Sequence, residues 1–304
     1  MDAREGARAA SSQRGLTSVV IVAADSGVAL LECVASVLAA ADIEVIVVDN
    51  DSHDGSIETL QSQCAPQPRL RILRNGANLG FGSGCDRGAA VAAGDALLFL
   101  NPDCQLDPAA LAHLRGVLDA NAGIGLIGTL QVDAKGRIDP ASRRRDPLFH
   151  RALLTASGLQ RLSSSFEGVE LMTPPNVPTE QVDAVSGALM LVSQRVFVQI
   201  GGFDEGYFLH CEDLDLCRRV RDAGYEVVCA TDVRVLHAKG GSSRSRPVFV
   251  AWHKHRGMWR WFTKFDPAAR NPLLKAFVWC GIWAAFVLKV PLLFARRAFR
   301  AFAS

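Results

Sequence analysis

Two apolar runs near the N-terminus decide the fold: SVVIVA at residues 18–23 and IEVIVVD at residues 43–49. Neither run shows the alternation of a half-exposed strand, which is typical of parallel strands that are covered on both faces. Between them, residues 27–41 place apolar side chains at a helical period. The three segments predict one β-α-β unit.

The alternation of strands and helices continues along the chain. The expected elements are a helix at residues 56–64, a strand at 70–73, a helix that ends at 93, a strand at 96–100, a helix at 108–121, and strands at 125–131, 184–192, 226–230 and 233–237. This order favours an α/β protein with a Rossmann-like, doubly wound and mostly parallel sheet. Residues 133–182 do not continue the alternation of strands and helices, so they form either substrate-facing loops or a variable surface insertion.

Composition and charge restrict the class of protein. The chain has 304 residues, of which 49% are hydrophobic and 21% are charged, enough for a large core. Its net charge of +2 creates no overall field that would attract nucleic acid. The eight cysteines include no Cys-x-x-Cys pair, which argues against a zinc ribbon and a disulfide framework and favours a reducing compartment. We therefore expect a cytoplasmic protein that does not bind nucleic acid.

The two ends of the chain differ from the middle. Residues 1–16 lack an apolar core segment and are rich in Ala, Arg, Ser and Gly, so we expect a disordered leader and not a secretory signal. Residues 266–304 form a helical tail, in which 276–295 are apolar except for Lys289. Its basic residues at the end are Arg296, Arg297 and Arg300. This helix spans a bilayer, lies in the membrane interface or docks on the core.

An acidic junction at residues 212–215 begins a predicted helix and contains Glu212, Asp213 and Asp215. Backbone N–H groups in a first helical turn favour ionised carboxylates, and an ionised Asp at the lip of a cleft is a ready general base. The alternative is that these acids only complement the helix dipole.

Two further acids follow predicted strands, at the sheet edge where open α/β proteins bind ligands. Asp49 can accept a hydrogen bond from a base or a ribose, or it belongs only to a turn. Asp103 ends LFLNPD at residues 98–103 and would enter the same cleft. Its carboxylate suits Mg²⁺ or Mn²⁺ on a diphosphate, although Asn-Pro-Asp is also a good turn. The glycine-rich residues 80–84 lack the dinucleotide and P-loop patterns but allow the backbone to approach a diphosphate.

Five segments in order resemble the inverting glycosyltransferases of family 2, and within them the bacterial rhamnosyltransferase-like enzymes that build surface polysaccharides. The segments are VVDNDSHDGS at 47–56, NLGFGSG at 78–84, LNPD at 100–103, VSGA at 185–188 and a stretch from GFDE to EDLDL at 202–216. By their order and spacing, the resemblance extends from residue 17 to about residue 265. The resemblance implies a GT-A fold, a nucleoside-diphosphate-sugar donor, Mg²⁺ or Mn²⁺, and transfer of one sugar to a lipid-linked or saccharide acceptor. Such an acceptor places the enzyme at the inner face of the cell membrane.

The same resemblance implies roles for single residues. Asp49 reads the nucleotide, and Asp103 reaches the metal and the diphosphate. Asp213 deprotonates the acceptor hydroxyl, with Glu212 beside it in a catalytic pair. His237 matches a family position and is either a further metal or phosphate ligand or a structural histidine. The remaining donor-binding residues are Asn50, Asn78, Gly80, Phe81 and Asn101.

The chain departs from the family pattern at two places. Ala24-Asp25 stands where an aromatic residue followed by Asn is usual, and Asp86 stands where Asn is common. Two rival functions also fit the acids and the sheet. One is a nucleotide-sugar-binding module without catalysis, and the other is a nucleotidyltransferase, which would release pyrophosphate.

Overall fold

The computed structural model describes residues 13–64, 67–163, 165–171, 173–238 and 246–302, with side chains described up to residue 294. In chain order the elements are β1 (Gln13–Ala23), α1 (Gly27–Leu38), β2 (Ile43–Asp49), α2 (Ser56–Cys64), β3 (Leu70–Arg74), α3 (Phe81–Ala89), β4 (Gly94–Leu100), β5 (Cys104–Gln105), α4 (Pro108–Ala120), β6 (Ile124–Val132), β7 (Arg143–Arg144), α5 (Phe149–Ser157), β8 (Thr179–Gln181), β9 (Ala184–Val185), β10 (Leu189–Ser193), α6 (Gln194–Gln199), α7 (Glu212–Asp222), β11 (Glu226–His237), α8 (Pro247–Phe265) and α9 (Pro272–Phe302).

Nine of the described strands form one sheet in the order β3-β2-β1-β4-β10-β6-β11-β5, and β8 pairs with β11. The neighbours β1–β2, β2–β3, β1–β4 and β6–β11 are parallel. Strand β10 runs antiparallel between β4 and β6. The parallel half confirms the Rossmann-like prediction, and the rest of the sheet is mixed.

Helices cover both faces of this sheet. Val19 and Ile21 of β1 enter one buried cluster, and the alternating Val20 and Val22 enter a second. The first cluster includes apolar residues of α1, α2 and α4, whereas the second includes those of α6 and α7. Successive side chains of a strand point to opposite faces, so the two clusters lie on opposite sides. The doubly wound arrangement is confirmed.

The first strand begins earlier than its apolar run. The Gln13 N–H donates to the Ala93 carbonyl at 2.9 Å, and Gln13 pairs with Gly94. Residues 13–16 therefore belong to the sheet and not to a disordered leader, because backbone pairing at a strand end needs no apolar side chains. The rest of the predicted leader, residues 1–12, lies outside the described part of the chain.

The glycine-rich segment is mostly helix and not loop, since α3 begins at Phe81. A Cβ on Gly84 would lie 2.8 Å from Val22 Cγ1, and one on Gly88 would lie 2.4 Å from Val20 Cγ1. These two glycines let α3 pack closely on β1. The interpretation as a diphosphate-binding loop remains only for Gly80 and Phe81.

The strand predicted at 184–192 is interrupted. β9 pairs with β7, and β10 joins the main sheet after a link at Ser186 and Gly187. A Cβ on Gly187 would lie 3.2 Å from Asp213 Cβ. The link therefore needs a small residue so that α7 can approach it. In contrast, the strands predicted at 226–230 and 233–237 are one strand, β11, with an irregularity between Ala230 and Arg234.

Of the two C-terminal helices, α8 packs on the core through the buried Trp261, whereas most of α9 lies outside the core. α8 ends at Phe265, and α9 contacts it through Trp252 and Trp283, whose ring centroids lie 4.8 Å apart. Within the described residues, 272–294 is the one stretch long and apolar enough to cross a membrane, with a mean hydropathy of 2.0 and 6% burial. The helix is therefore not a core element, although part of it docks on α8. The basic side chains predicted at 296, 297 and 300 lie outside the described side chains.

Candidate active site

A cavity of about 990 Å³ opens where β1, β2 and β4 end. The loops after these strands, the link between β9 and β10, and the first turn of α7 contribute to its wall. Of the residues that the sequence places in the site, all except Asp49 line this cavity: Asn50, Asn78, Gly80, Phe81, Asn101, Asp103, Glu212, Asp213 and His237. The fold thus gathers residues that are more than 180 positions apart, from Asn50 to His237.

The side chain of Asp49 does not reach the cavity. It is buried, its Oδ1 accepts a hydrogen bond from the Ser52 N–H at 2.8 Å, and its Oδ2 lies 4.0 Å from Arg74 Nη1. The next residue, Asn50, reaches the cavity and donates from Nδ2 to the Gly80 carbonyl at 2.9 Å. Contact between Asp49 and a nucleotide therefore stays a prediction, and the observed contact of Asp49 is with its own loop.

Asp213 carries the strongest set of contacts in the cavity. Its Oδ2 accepts from Arg144 Nη2 at 2.5 Å and from the Gly187 N–H at 3.1 Å, and its Oδ1 accepts from the Leu214 N–H at 2.8 Å. Burial acts to raise the pKa of Asp213, but the charge and the hydrogen bond of Arg144, with the two N–H groups, outweigh it and lower the pKa. Asp213 is an ionised carboxylate held in one orientation.

Glu212 is in the opposite state. Burial first, and the neighbouring charge of Asp213 second, raise its pKa to about 8. Among the described residues, its buried Oε2 has no hydrogen-bond partner. When the pKa values of two adjacent carboxyl groups move apart, the group with the lower pKa can accept a proton and the group with the higher pKa keeps its own. At neutral pH, Asp213 is the member that can accept a proton.

The third acid of the junction serves the fold. Asp215 is fully buried and accepts from Arg219 Nε at 2.5 Å and from Lys264 Nζ at 2.6 Å. Arg219 also donates to the carbonyls of Ile200 and Gly202. Asp215 therefore fixes α7 from behind, while Asp213 faces the cavity. Neither interpretation of the acidic junction fits all three residues.

Asp103 and His237 form a candidate metal site, with Asp103 Oδ1 3.2 Å from His237 Nε2. Carboxylate oxygen and imidazole nitrogen both suit Mn²⁺, and oxygen suits Mg²⁺. His237 Nδ1 is buried without a hydrogen-bond partner among the described residues, so only Nε2 is engaged. The nearby Cys104 is an unsuitable ligand, because burial raises the pKa of its thiol well above the usual value. The donor set fits a divalent ion on Asp103 and His237.

Arg144 could not be identified from the sequence. It lies in a run of three arginines, and each contacts a different acid: Arg143 pairs with Glu180, Arg144 with Asp213 and Arg145 with Glu167. In the sequence these three arginines resemble ordinary surface charge, because the segment around them has neither a helical nor a strand period. Only the pairing of β7 with β9 brings Arg144 to α7.

The fold and the site define a glycosyltransferase of the GT-A fold. A model of the family "Glycosyl transferase family 2" matches residues 18–166. The chain is 31% identical over 261 residues to the N-acetylglucosaminyl-diphospho-decaprenol L-rhamnosyltransferase of Mycobacterium tuberculosis, which covers 76% of this chain and 83% of that protein. It is 28% identical over 152 residues to the rhamnosyltransferase WbbL of Escherichia coli, with 50% and 55% covered.

A solved mannosyltransferase from Pyrobaculum calidifontis, in complex with GDP-Man and Mn²⁺, has the same fold. Its TM-score is 0.59 at 16% identity, with 96% of this chain and 77% of that chain covered. The protein belongs to glycosyl transferase family 2 and is a rhamnosyltransferase-like member of it. It is therefore an enzyme, and neither the binding module nor the nucleotidyltransferase is supported.

The raised pKa of Glu212 predicts how stability depends on pH. Between pH 4.5, the ordinary pKa of the group, and about pH 8, folded Glu212 holds a proton that the unfolded chain has released. The free energy of unfolding therefore loses this contribution progressively as pH rises through that window. Glu212→Gln removes the titration, so we expect the stability of the variant to fall less with pH. Urea unfolding of both proteins at about pH 5 and about pH 8 measures this. Parallel pH profiles would contradict a protonated Glu212.

Proposed function

We propose that the protein transfers one sugar, a deoxyhexose such as rhamnose, from a nucleoside diphosphate to a hydroxyl group of a lipid-linked or saccharide acceptor. The observation that carries this proposal is the ionised Asp213, oriented by Arg144, in the same cavity as the Asp103–His237 pair. The name of the Mycobacterium relative supports the choice of sugar and of a lipid-linked acceptor. The role of the enzyme is in polysaccharide synthesis.

The reaction is a single displacement with inversion. Asp213 accepts the proton of the acceptor hydroxyl as its oxygen attacks the anomeric carbon and the diphosphate leaves from the opposite face. Arg144 and the Gly187 N–H hold the carboxylate so that one oxygen points at the hydroxyl. Glu212, protonated beside it, limits the negative charge at this end of the cavity. A base that is already ionised and oriented needs no rearrangement before the proton moves.

We place the donor at the Asp103–His237 pair in the same cavity. Asp103 and His237 would bind Mg²⁺ or Mn²⁺, which neutralises charge on the departing diphosphate. Asn50 and Asn78 shape the adjoining wall, because Asn50 Nδ2 donates to the Gly80 carbonyl and Asn78 Oδ1 accepts from the Gly80 N–H. The donor-binding residues that we propose here are Asn50, Asn78, Gly80, Phe81 and Asn101.

A panel of nucleotide sugars tests the function. We expect release of a nucleoside diphosphate that needs a divalent ion and an acceptor, and a product whose anomeric configuration is inverted. Release of pyrophosphate, or retention of configuration by NMR, would contradict the proposal.

We further propose that the enzyme works at the inner face of the cell membrane, where α9 contacts lipid. Its exposed apolar side chains include Leu273, Phe277, Trp279, Val287, Leu288, Leu292 and Phe294. A large exposed apolar face on a protein surface indicates an interaction site, and a helix with such a face can bind in the membrane interface. The cytoplasmic location follows from the free, mostly buried cysteines, which suit a reducing compartment.

Substitution of the outer face of α9 tests membrane binding. Val278 and Ile282 of the same helix line the cavity, so deletion of α9 would also damage the site. We therefore expect the triple variant Val287→Ser, Leu288→Ser, Leu292→Ser to lose flotation with anionic liposomes. Each large apolar side chain that is removed takes away ~1.5–3 kcal/mol of favourable burial in the membrane. Leu162→Ser, at a residue with 76% exposure outside α9, is the control and should float like the wild type. Equal flotation of the triple variant would contradict lipid contact by α9.

A further inference from the structure

We infer that the apolar part of the cavity, formed by α5, α8 and α9, binds the first part of the hydrocarbon chain of a lipid diphosphate acceptor. This inference rests on the proposed function and selects the lipid-linked acceptor over a free saccharide. It assigns to the three helices a role in substrate binding, and to α9 this role in addition to membrane contact.

The cavity wall has polar and apolar parts. The residues after β2 and β4 and at the start of α7 are mostly polar, whereas α5, α8 and α9 contribute mostly apolar side chains, with Thr155 and Lys254 as the exceptions. The apolar residues that matter here are Phe149 and Ala152 of α5, Val250 and Met258 of α8, and Val278 and Ile282 of α9. A hydrocarbon chain matches these side chains, because burying it removes apolar surface from water on both partners. A hydrophilic saccharide would leave hydroxyl groups without hydrogen-bond partners against them.

The apolar wall is continuous with the face of α9 that we place against lipid. Phe149 of α5 lies in the cavity wall and contacts Phe277 of α9, with ring centroids 6.2 Å apart. Phe277 is itself 60% exposed. Val278 and Ile282 then face the cavity from the same helix. Helix α9 therefore carries apolar side chains both on its exposed face and in the cavity wall, so a chain anchored in the bilayer would reach the cavity along α9.

Two cationic side chains without a catalytic assignment, Lys254 and Arg246, also line the cavity. Arg144 is paired with Asp213, but Lys254 makes no salt bridge within the part of the chain that the structure describes. Lys254 lies three positions before Gly257 on α8, and a Cβ on Gly257 would lie 2.7 Å from the His210 carbonyl oxygen, so this part of α8 packs against the residues just before α7. A cation that has no salt bridge among the described residues matches a diphosphate that joins a sugar at Asp213 to a chain along the helices.

Binding of two diphosphate esters that differ only in their chain tests the inference. Full-length protein is titrated with farnesyl diphosphate and with methyl diphosphate, in excess chelator so that the metal-dependent donor end does not contribute. We expect the farnesyl ester to bind about tenfold more tightly or better, since burial of its hydrocarbon chain removes apolar surface from water. Ala152→Phe fills the apolar wall and should remove this preference while leaving the methyl ester unaffected. Lys254→Ala should weaken both esters alike.

Matched variants separate the cavity from the outer surface. Ser157→Phe adds the same ring on the exposed side of α5, away from the cavity, and should keep the preference. Ala156 lies one helical turn after Ala152 and also lines the cavity. If Ala152→Phe unfolds at a much lower temperature than the wild type, Ala156→Phe serves as the second blocking variant. Equal affinity of the wild type for both esters, or equal loss in Ser157→Phe, would overturn the inference. Failure of the proposed function shows separately, as absence of nucleoside diphosphate release with every donor of the panel.

Discussion

Asp213→Asn is expected to lower the rate of sugar transfer by about 10²–10⁴-fold and to change donor affinity by no more than a few-fold. In the proposed mechanism the carboxylate acts on the acceptor hydroxyl, whereas the donor diphosphate is bound by Asp103 and His237. An amide in the same place keeps the shape but cannot take the proton. Turnover assays and calorimetric titration with the donor measure the two effects separately.

The control for this substitution lies on the same helix. Asp222→Asn also removes a carboxylate from α7, but at its exposed C-terminal end, where Asp222 pairs with Arg218. It should retain full activity. Because Asp213→Asn leaves Arg144 without its charge partner, a thermal melt must accompany the assay, since breaking a buried ion pair costs ~3–5 kcal/mol. A folded variant with more than about a tenth of the wild-type rate would show that Asp213 is not the base.

Asp103→Ala is expected to weaken donor binding and to reduce transfer by about 10²-fold or more, since a bound metal supplies several kcal/mol of charge stabilisation. Asp103 is the carboxylate of the candidate metal pair, and His237 alone is a poor ligand for Mg²⁺. The variant should also lose the dependence of donor binding on added Mn²⁺. Donor titrations with and without the ion measure this directly.

Two comparisons complete the metal test. Gln105→Ala changes an exposed side chain two positions further on, which donates to Glu32, and should leave metal dependence intact. Excess chelator on the wild type should reproduce the defect of Asp103→Ala. Full wild-type activity in chelator would mean that cationic side chains alone stabilise the leaving group, and the metal assignment would be wrong.

The α/β architecture and the position of the site were predictable because they depend on local pattern. Continuous apolar runs fixed β1, β2 and β4, and the carboxyl ends of parallel strands meet at one edge of a sheet. Asp49 and Asp103 were therefore expected in one cleft, and the structure places Asp103 there but not Asp49; Asn50 and Asn101, which the family resemblance implied, also line it. The acidic residues at the start of α7 were recognised from a different local signal, their place in the first turn of a predicted helix.

Pairing over long distances had no signal in the pattern. Arg144 reaches Asp213 only because β7 pairs with β9, and nothing distinguishes it from Arg143 or Arg145 in the sequence. The glycines of α3 looked like a binding loop, yet the close packing of α3 on β1 accounts for Gly84 and Gly88. Asp49 ends a strand at the right edge, but its side chain turns to its own loop.

Local periodicity thus determined the sheet, the helices and the edge at which the acids collect, since these depend on neighbouring residues along the chain. The tertiary structure alone decided which acid is ionised. Asp213 lies against Arg144 and two N–H groups, whereas Glu212 is buried beside that charge without a partner in the described residues. Adjacent carboxyl groups therefore differ in protonation because charge and desolvation act through space and not along the sequence.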